Sequence, residues 1–108
     1  MIELHISEAA AYSIIEQADY FQQSANLSLG QKWESAVDEA VHSLRQWPKR
    51  GALCRFRSTV LTGLRWILVP GFSKHMVFYR YLTNEEVVLI VQVLHGARNL
   101  AILLDEGD

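Results

Sequence analysis

The sequence has one cysteine, two prolines and no long hydrophobic run. A single thiol, Cys54, closes no internal disulfide and supplies no zinc-ligand spacing, so a disulfide scaffold is excluded and a reducing cytoplasm is expected. No unbroken apolar run is longer than that of residues 87–91, which is far too short to cross a bilayer as a helix. The opening Met1-Ile2-Glu3-Leu4-His5 lacks a basic segment, which argues against a secretory signal. A phosphate-binding glycine loop, a dinucleotide fingerprint and paired histidines at helical metal spacing are all missing, so no cofactor and no metal is expected. Gly71-Phe72-Ser73 begins like a nucleophile elbow but has no closing glycine. Linkers, repeats and low-complexity tracts are likewise missing, and residues 1–108 read as a single domain.

What is present is a chain that folds: half its residues are apolar and a fifth are charged. The net charge of −2 hides a strong segregation. Residues 1–39 hold seven acids against one base, Lys32, and residues 85–108 hold five acids against Arg98. Residues 40–84 hold eight bases and no acid. Folded together, the middle segment makes a basic surface for an anionic partner; interleaved with the acidic ends, its arginines pair inside the domain.

Alternation over residues 2–6 predicts a short strand with Ile2, Leu4 and Ile6 inward. Ser7 stands at a helix N-cap position, with Glu8 in the first turn. Ala11, Ile14, Ala18, Phe21 and Ala25 then mark one helical face. Ser28 and Gln31 form a capping box for a second helix, whose stripe is Leu29, Trp33, Ala36, Ala40, Leu44 and Trp47 and whose stop is Pro48. So short a connection predicts an αα-hairpin. Residues 48–63 have no clear period and read as a loop or edge strand. Strands are predicted over 64–69, 75–82 and 86–94, with Pro70-Gly71 as a type II turn between the first two. The last strand is apolar on both faces, with Val87, Leu89, Val91 and Val93 on one and Val88, Ile90 and Leu94 on the other, hence central. A short helix over about 98–104 closes the chain. The expected fold is α+β: an N-terminal strand and an αα-hairpin packed on a mainly antiparallel sheet of about four strands, then a short C-terminal helix.

Four histidines (His5, His42, His75, His95) are scattered singly, and each reads first as structural. Trp33 and Trp47 fall on the apolar stripe and are expected in the core. Candidate chemistry lies in the basic residues: Arg65 and Arg80 on neighbouring strands, Arg55 and Arg57 before them, His95 and Arg98 after the central strand. Such a set can polarise a phosphodiester or dock carboxylates through bidentate arginine pairs. Cleavage further needs a proton donor and acceptor, for which His95, His75, Tyr79 and Tyr81 are the candidates. Alternation puts His75, Tyr79 and Tyr81 on one face of their strand and Arg80 on the other.

Leu94-His95-Gly96-Ala97-Arg98-Asn99-Leu100, preceded by Phe78-Tyr79-Arg80-Tyr81 and the strand over 87–93, resembles the RelE/ParE superfamily of toxins from bacterial type II toxin–antitoxin modules. The likeness spans nearly the whole chain, including Trp47-Pro48 and Gly51 after the second helix. The ParE branch is the closer match. The resemblance implies a cytoplasmic, growth-inhibiting toxin that binds and blocks DNA gyrase without cleaving nucleic acid, with no membrane role and no nucleic-acid binding of its own. It also implies a cognate antitoxin that folds onto the toxin; the sheet edges and the groove beside the hairpin are the expected landing sites, since an exposed edge and an apolar groove each accept an added element. Arg55, Arg57, Arg65, Arg80, His95 and Arg98 are the expected partner-binding residues. The alternatives are a RelE-type ribosome-dependent mRNA endoribonuclease using Arg57, Arg65, Arg80 and His95, or a non-toxic family member that binds antitoxin. The segment 98–104 has no tyrosine, unlike several RelE members.

Overall fold

In the computed structural model, residues 1–54 and 63–95 are described, and the expected helix over 98–104, with Arg55, Arg57 and Arg98, lies outside them. The chain runs β1 (Glu3–Ile6), α1 (Glu8–Ser24), α2 (Leu27–Gln46), β2 (Ala52–Leu53), β3 (Arg65–Val69), β4 (Phe72–Leu82) and β5 (Val87–His95). The strands form one five-stranded sheet in the order β1-β5-β4-β3-β2. The sheet is mixed: β1 runs parallel to β5, and the other neighbours are antiparallel. The fifth strand is β2, a two-residue edge strand in the stretch that showed no period. Both helices cover one face of the sheet.

Ser7 caps α1 as its position predicts, accepting from the Ala10 amide at 3.0 Å. Its hydroxyl also donates to the Val91 carbonyl at 2.7 Å, which ties the start of α1 to β5. The capping box at Ser28 does not form. Asn26 caps α2 instead, accepting from the Leu29 amide at 2.8 Å, because its short amide side chain suits the extended backbone there. The buried face of α1 is Ala10 and Ala18 with Ile14 and Phe21 beside them; Ala11 and Ala25 are exposed.

Trp33 fills the space between the hairpin and the sheet. It is fully buried, its indole N–H donates to the Ile14 carbonyl at 3.0 Å, and its ring packs edge-on against Phe21, Phe72 and His75. Val37, Ala40, Val41 and Leu44 continue this layer along α2 onto Ile67, Val77, Tyr79, Val88 and Ile90. Trp47 is not part of it. As the C-cap residue of α2 it has left the helical path (φ −130°, ψ 73°), and it is 62% exposed. Ile6 is also outside the core, at the end of an edge strand where the chain turns into α1.

A β-bulge corrects the expected faces of β5. Tyr79 pairs with Ile90 and Phe78 with Gln92, so Val91 has no register partner on β4. The extra residue reverses the alternation beyond it. Val93 therefore joins Val88 and Ile90 under the helices, while Val91 and Leu94 pack with Leu64, Phe78 and Trp66 on the opposite face. A turn at Pro70-Gly71, with Gly71 at φ 80°, joins β3 to β4.

Replacing Trp33 by alanine removes the largest buried ring and its hydrogen bond. The expected loss is about 3–5 kcal/mol of unfolding free energy, measured as a shifted urea midpoint.

Candidate functional site

The basic residues expected to act together are divided by the sheet. Arg65 pairs in register with Tyr79, so both project toward the helices, whereas Arg80 is the next residue along β4 and projects to the opposite face. The Arg65 guanidinium donates to the Lys49 carbonyl at 3.1 Å and to the Gly51 carbonyl at 2.8 Å. Arg80 lies beside Cys54 and Gly63 on the other side. His95 faces the helices, but it pairs with His75, five positions along β4 from Arg80. The arginines whose bonds are seen do not bond carboxylates: Arg45 reaches the Ile2 carbonyl, and Arg50 the Ser43 hydroxyl.

Tyr79 is committed to the fold. It is fully buried, its hydroxyl donates to the Pro48 carbonyl at 2.8 Å, and it accepts from the Gly51 amide at 2.9 Å. Burial pushes its phenol up, opposed by the Gly51 bond and by the nearby charges of Arg65 and Arg50. Gly51 must be glycine here, since a Cβ would lie 2.5 Å from the Tyr79 hydroxyl and 2.9 Å from the Trp66 carbonyl. Tyr81 packs at the margin of the same core. Burial also raises the Cys54 thiol, with Arg80 pulling the other way.

A cleft of about 710 Å³ opens where α1 passes over the ends of β4 and β5. Glu16, Tyr20 and Phe21 form its helical wall, and His75, Val93 and His95 its strand wall. The two imidazoles meet nearly perpendicular with centroids 5.2 Å apart. His75 is 9% exposed, and neither of its ring nitrogens has a hydrogen-bond partner. Residues 73–75 also lack register partners on β3, because Leu68 pairs with Met76 and Val69 with Phe72. Sequence reasoning read His75 first as structural and otherwise as a candidate proton carrier. The cleft itself was hidden, because it depends on the angle at which α1 crosses the strands. Among the described residues, no group of three or more His, Cys, Asp or Glu side chains can hold a metal ion.

The sequence matches, over residues 4–100, the family described as the ParE toxin of the type II toxin-antitoxin system, parDE. The chain belongs to the ParE toxin family. Among solved structures it is similar to a chain of the chromosomal ParDE toxin–antitoxin system from P. aeruginosa, with a TM-score of 0.71 and 17% identity. That match covers 88% of this chain and 96% of the other, so the two share a fold. No curated protein matches the sequence. A ParE toxin implies a type II module, and hence a cognate antitoxin as partner. No helix among the described residues is long and apolar enough to cross a membrane.

Burial, and then His95, hold the His75 imidazole below its ordinary value of 6.5. The unfolded chain therefore takes up a proton at His75 before the folded chain does, and stability falls as pH drops below about 6.5. Urea unfolding across pH 5–8 should show this decline. A His75→Phe variant should have a flatter profile over the same range.

Proposed function

We propose that residues 1–108 act as one toxin domain in the cytoplasm, inhibiting growth by binding and blocking DNA gyrase until a cognate antitoxin covers them. Family membership supports the toxin reading, and gyrase is the target by analogy with that family. The observation that carries blocking over cleavage is the separation of Arg65, Arg80 and His95. Cleavage of a phosphodiester needs its charge stabiliser and its proton carriers converging on one phosphate. Here Arg65 is engaged by two backbone carbonyls, Arg80 stands on the other face of the sheet, and Tyr79 is sealed in the core.

The basic segment is then a docking surface for the antitoxin. Arg80, with Arg55, Arg57 and Arg98, is proposed to meet carboxylates of that partner, Arg65 to support the corner behind it, and His95, at the cleft, to contact the target. Bidentate arginine–carboxylate pairs give such an interface both strength and register.

Two assays on the purified chain test this reading together. In a gyrase supercoiling assay, relaxed plasmid should remain relaxed when the chain is added. In parallel, primer extension on mRNA being translated should show full-length transcript. Codon-spaced cuts with unimpaired supercoiling would instead establish the endoribonuclease, and silence in both assays a non-toxic antitoxin binder.

A further inference from the structure

The face of α1 turned away from the core is not the polar surface that a solvated helix presents. Tyr12, Ile15, Glu16, Asp19 and Tyr20 recur at the spacing that puts them on one side of the helix. Three of them are large and open to solvent: Tyr12 is 68% exposed, Ile15 62% and Tyr20 62%. A run of exposed aromatic and aliphatic side chains on so small a domain marks an interaction surface. Its charge has one sign. The described part of α1 carries Glu8, Glu16 and Asp19 and no base. The Glu16 carboxylate sits against the Tyr12 hydroxyl and holds that phenol above its ordinary value.

The stripe ends at the cleft, of which Glu16 and Tyr20 form the outer lip. At the inner end is His75, nine-tenths buried, with one donor and one acceptor nitrogen lacking partners. Buried polar groups left in that state are rare, and a ligand that supplies the partner removes the cost. A side chain suited to the cleft has an apolar stem to lie along Phe21 and Val93. Its head must donate hydrogen bonds and carry positive charge, to meet Glu16, the Tyr20 ring and a neutral imidazole. Arginine has all of these properties. A nucleic acid is disfavoured, since its phosphates would face the acids of α1.

We propose that the α1 stripe and the adjoining cleft form the target-facing surface of this toxin, docking a basic, arginine-bearing segment of gyrase. This rests on the gyrase reading given above and adds to it the surface and the chemistry of contact. A protein that handles DNA presents positive charge where the phosphates lie. The acidic stripe is complementary to such a segment, and the aromatic residues and the cleft supply the desolvated anchors that hold it. The toxin then has two faces of opposite sign, α1 for the target and the basic segment for the antitoxin.

The test compares the wild-type chain with a Glu16→Lys/Asp19→Lys variant and a Tyr12→Ala/Tyr20→Ala variant, all changed at exposed positions. Circular dichroism and the melting temperature confirm that they fold. In the supercoiling assay with purified gyrase, each variant should need at least tenfold more protein for half-inhibition, while antitoxin affinity stays within about twofold. Raising the salt should weaken wild-type inhibition more than that of the charge-reversed variant. Equal inhibition by wild type and variants overturns the docking surface and leaves the gyrase reading intact. A wild-type chain that does not inhibit gyrase overturns both. If the variants lose antitoxin binding but still inhibit, the surface belongs to the antitoxin. If they abolish a wild-type self-association seen in sedimentation and still inhibit, it belongs to a second copy. Either result contradicts the proposal.

Discussion

Four hydrogen bonds hold the corner where α2 gives way to the sheet, and much of the molecule depends on them. Tyr79, in the middle strand, donates to the Pro48 carbonyl and accepts from the Gly51 amide, while Arg65 donates to the Lys49 and Gly51 carbonyls. Backbone groups at such a turn have lost their helical partners and are partly shut off from water, so they need side chains to satisfy them. The tyrosine ring brings its hydroxyl up from the core, and the arginine brings its charge from the neighbouring strand. The bare Cα of Gly51 lets the chain pass close over that ring. This corner fixes where α2 ends, and so where Trp33 and Leu44 meet the sheet.

The same arrangement decides what the basic residues are free to do. A strand sends successive side chains to opposite faces, so a phenol and an arginine adjacent on β4 cannot work on one substrate atom. Tyr79 and Arg65 belong to the covered face and Arg80 to the other. The bulge at Val91 adds a second consequence by bringing Val93 and His95 under α1, where His95 meets His75 edge-on. The Val93 amide there bonds the Gln92 side chain, which also accepts from Ser13. One inserted residue thus shapes the cleft beside α1.

Much of the fold was legible in the residues. The Ser7 cap, the apolar stripe from Trp33 to Leu44, the stop at Pro48 and the Pro70-Gly71 turn are local signals, and each acts in the structure as its chemistry requires. Long-range pairing was harder to see. No local feature reveals that β1 lies parallel to β5, nor that Ala52-Leu53 makes a fifth strand, because both depend on partners distant in sequence. Periodicity also misled at element ends. Trp47 continues the helical stripe in sequence but follows the helix's last turn, so its ring faces water. Within the candidate site, the residue types were legible but their division was not. Alternation did place Arg80 opposite Tyr79, yet the tie between Arg65 and the corner at 49–51 needed the β3–β4 register to appear.

The central claim is that Tyr79 and the corner it holds are structural, and that activity is exerted from the surface. Tyr79→Phe tests it most directly, since it deletes one buried hydroxyl and keeps the ring. The account predicts a loss of about 1–3 kcal/mol in urea unfolding, because the Pro48 carbonyl and Gly51 amide are left without partners. Below the unfolding transition, the variant should inhibit supercoiling as the wild type does. Unchanged stability with activity lost would contradict the account and place the Tyr79 hydroxyl in the chemistry.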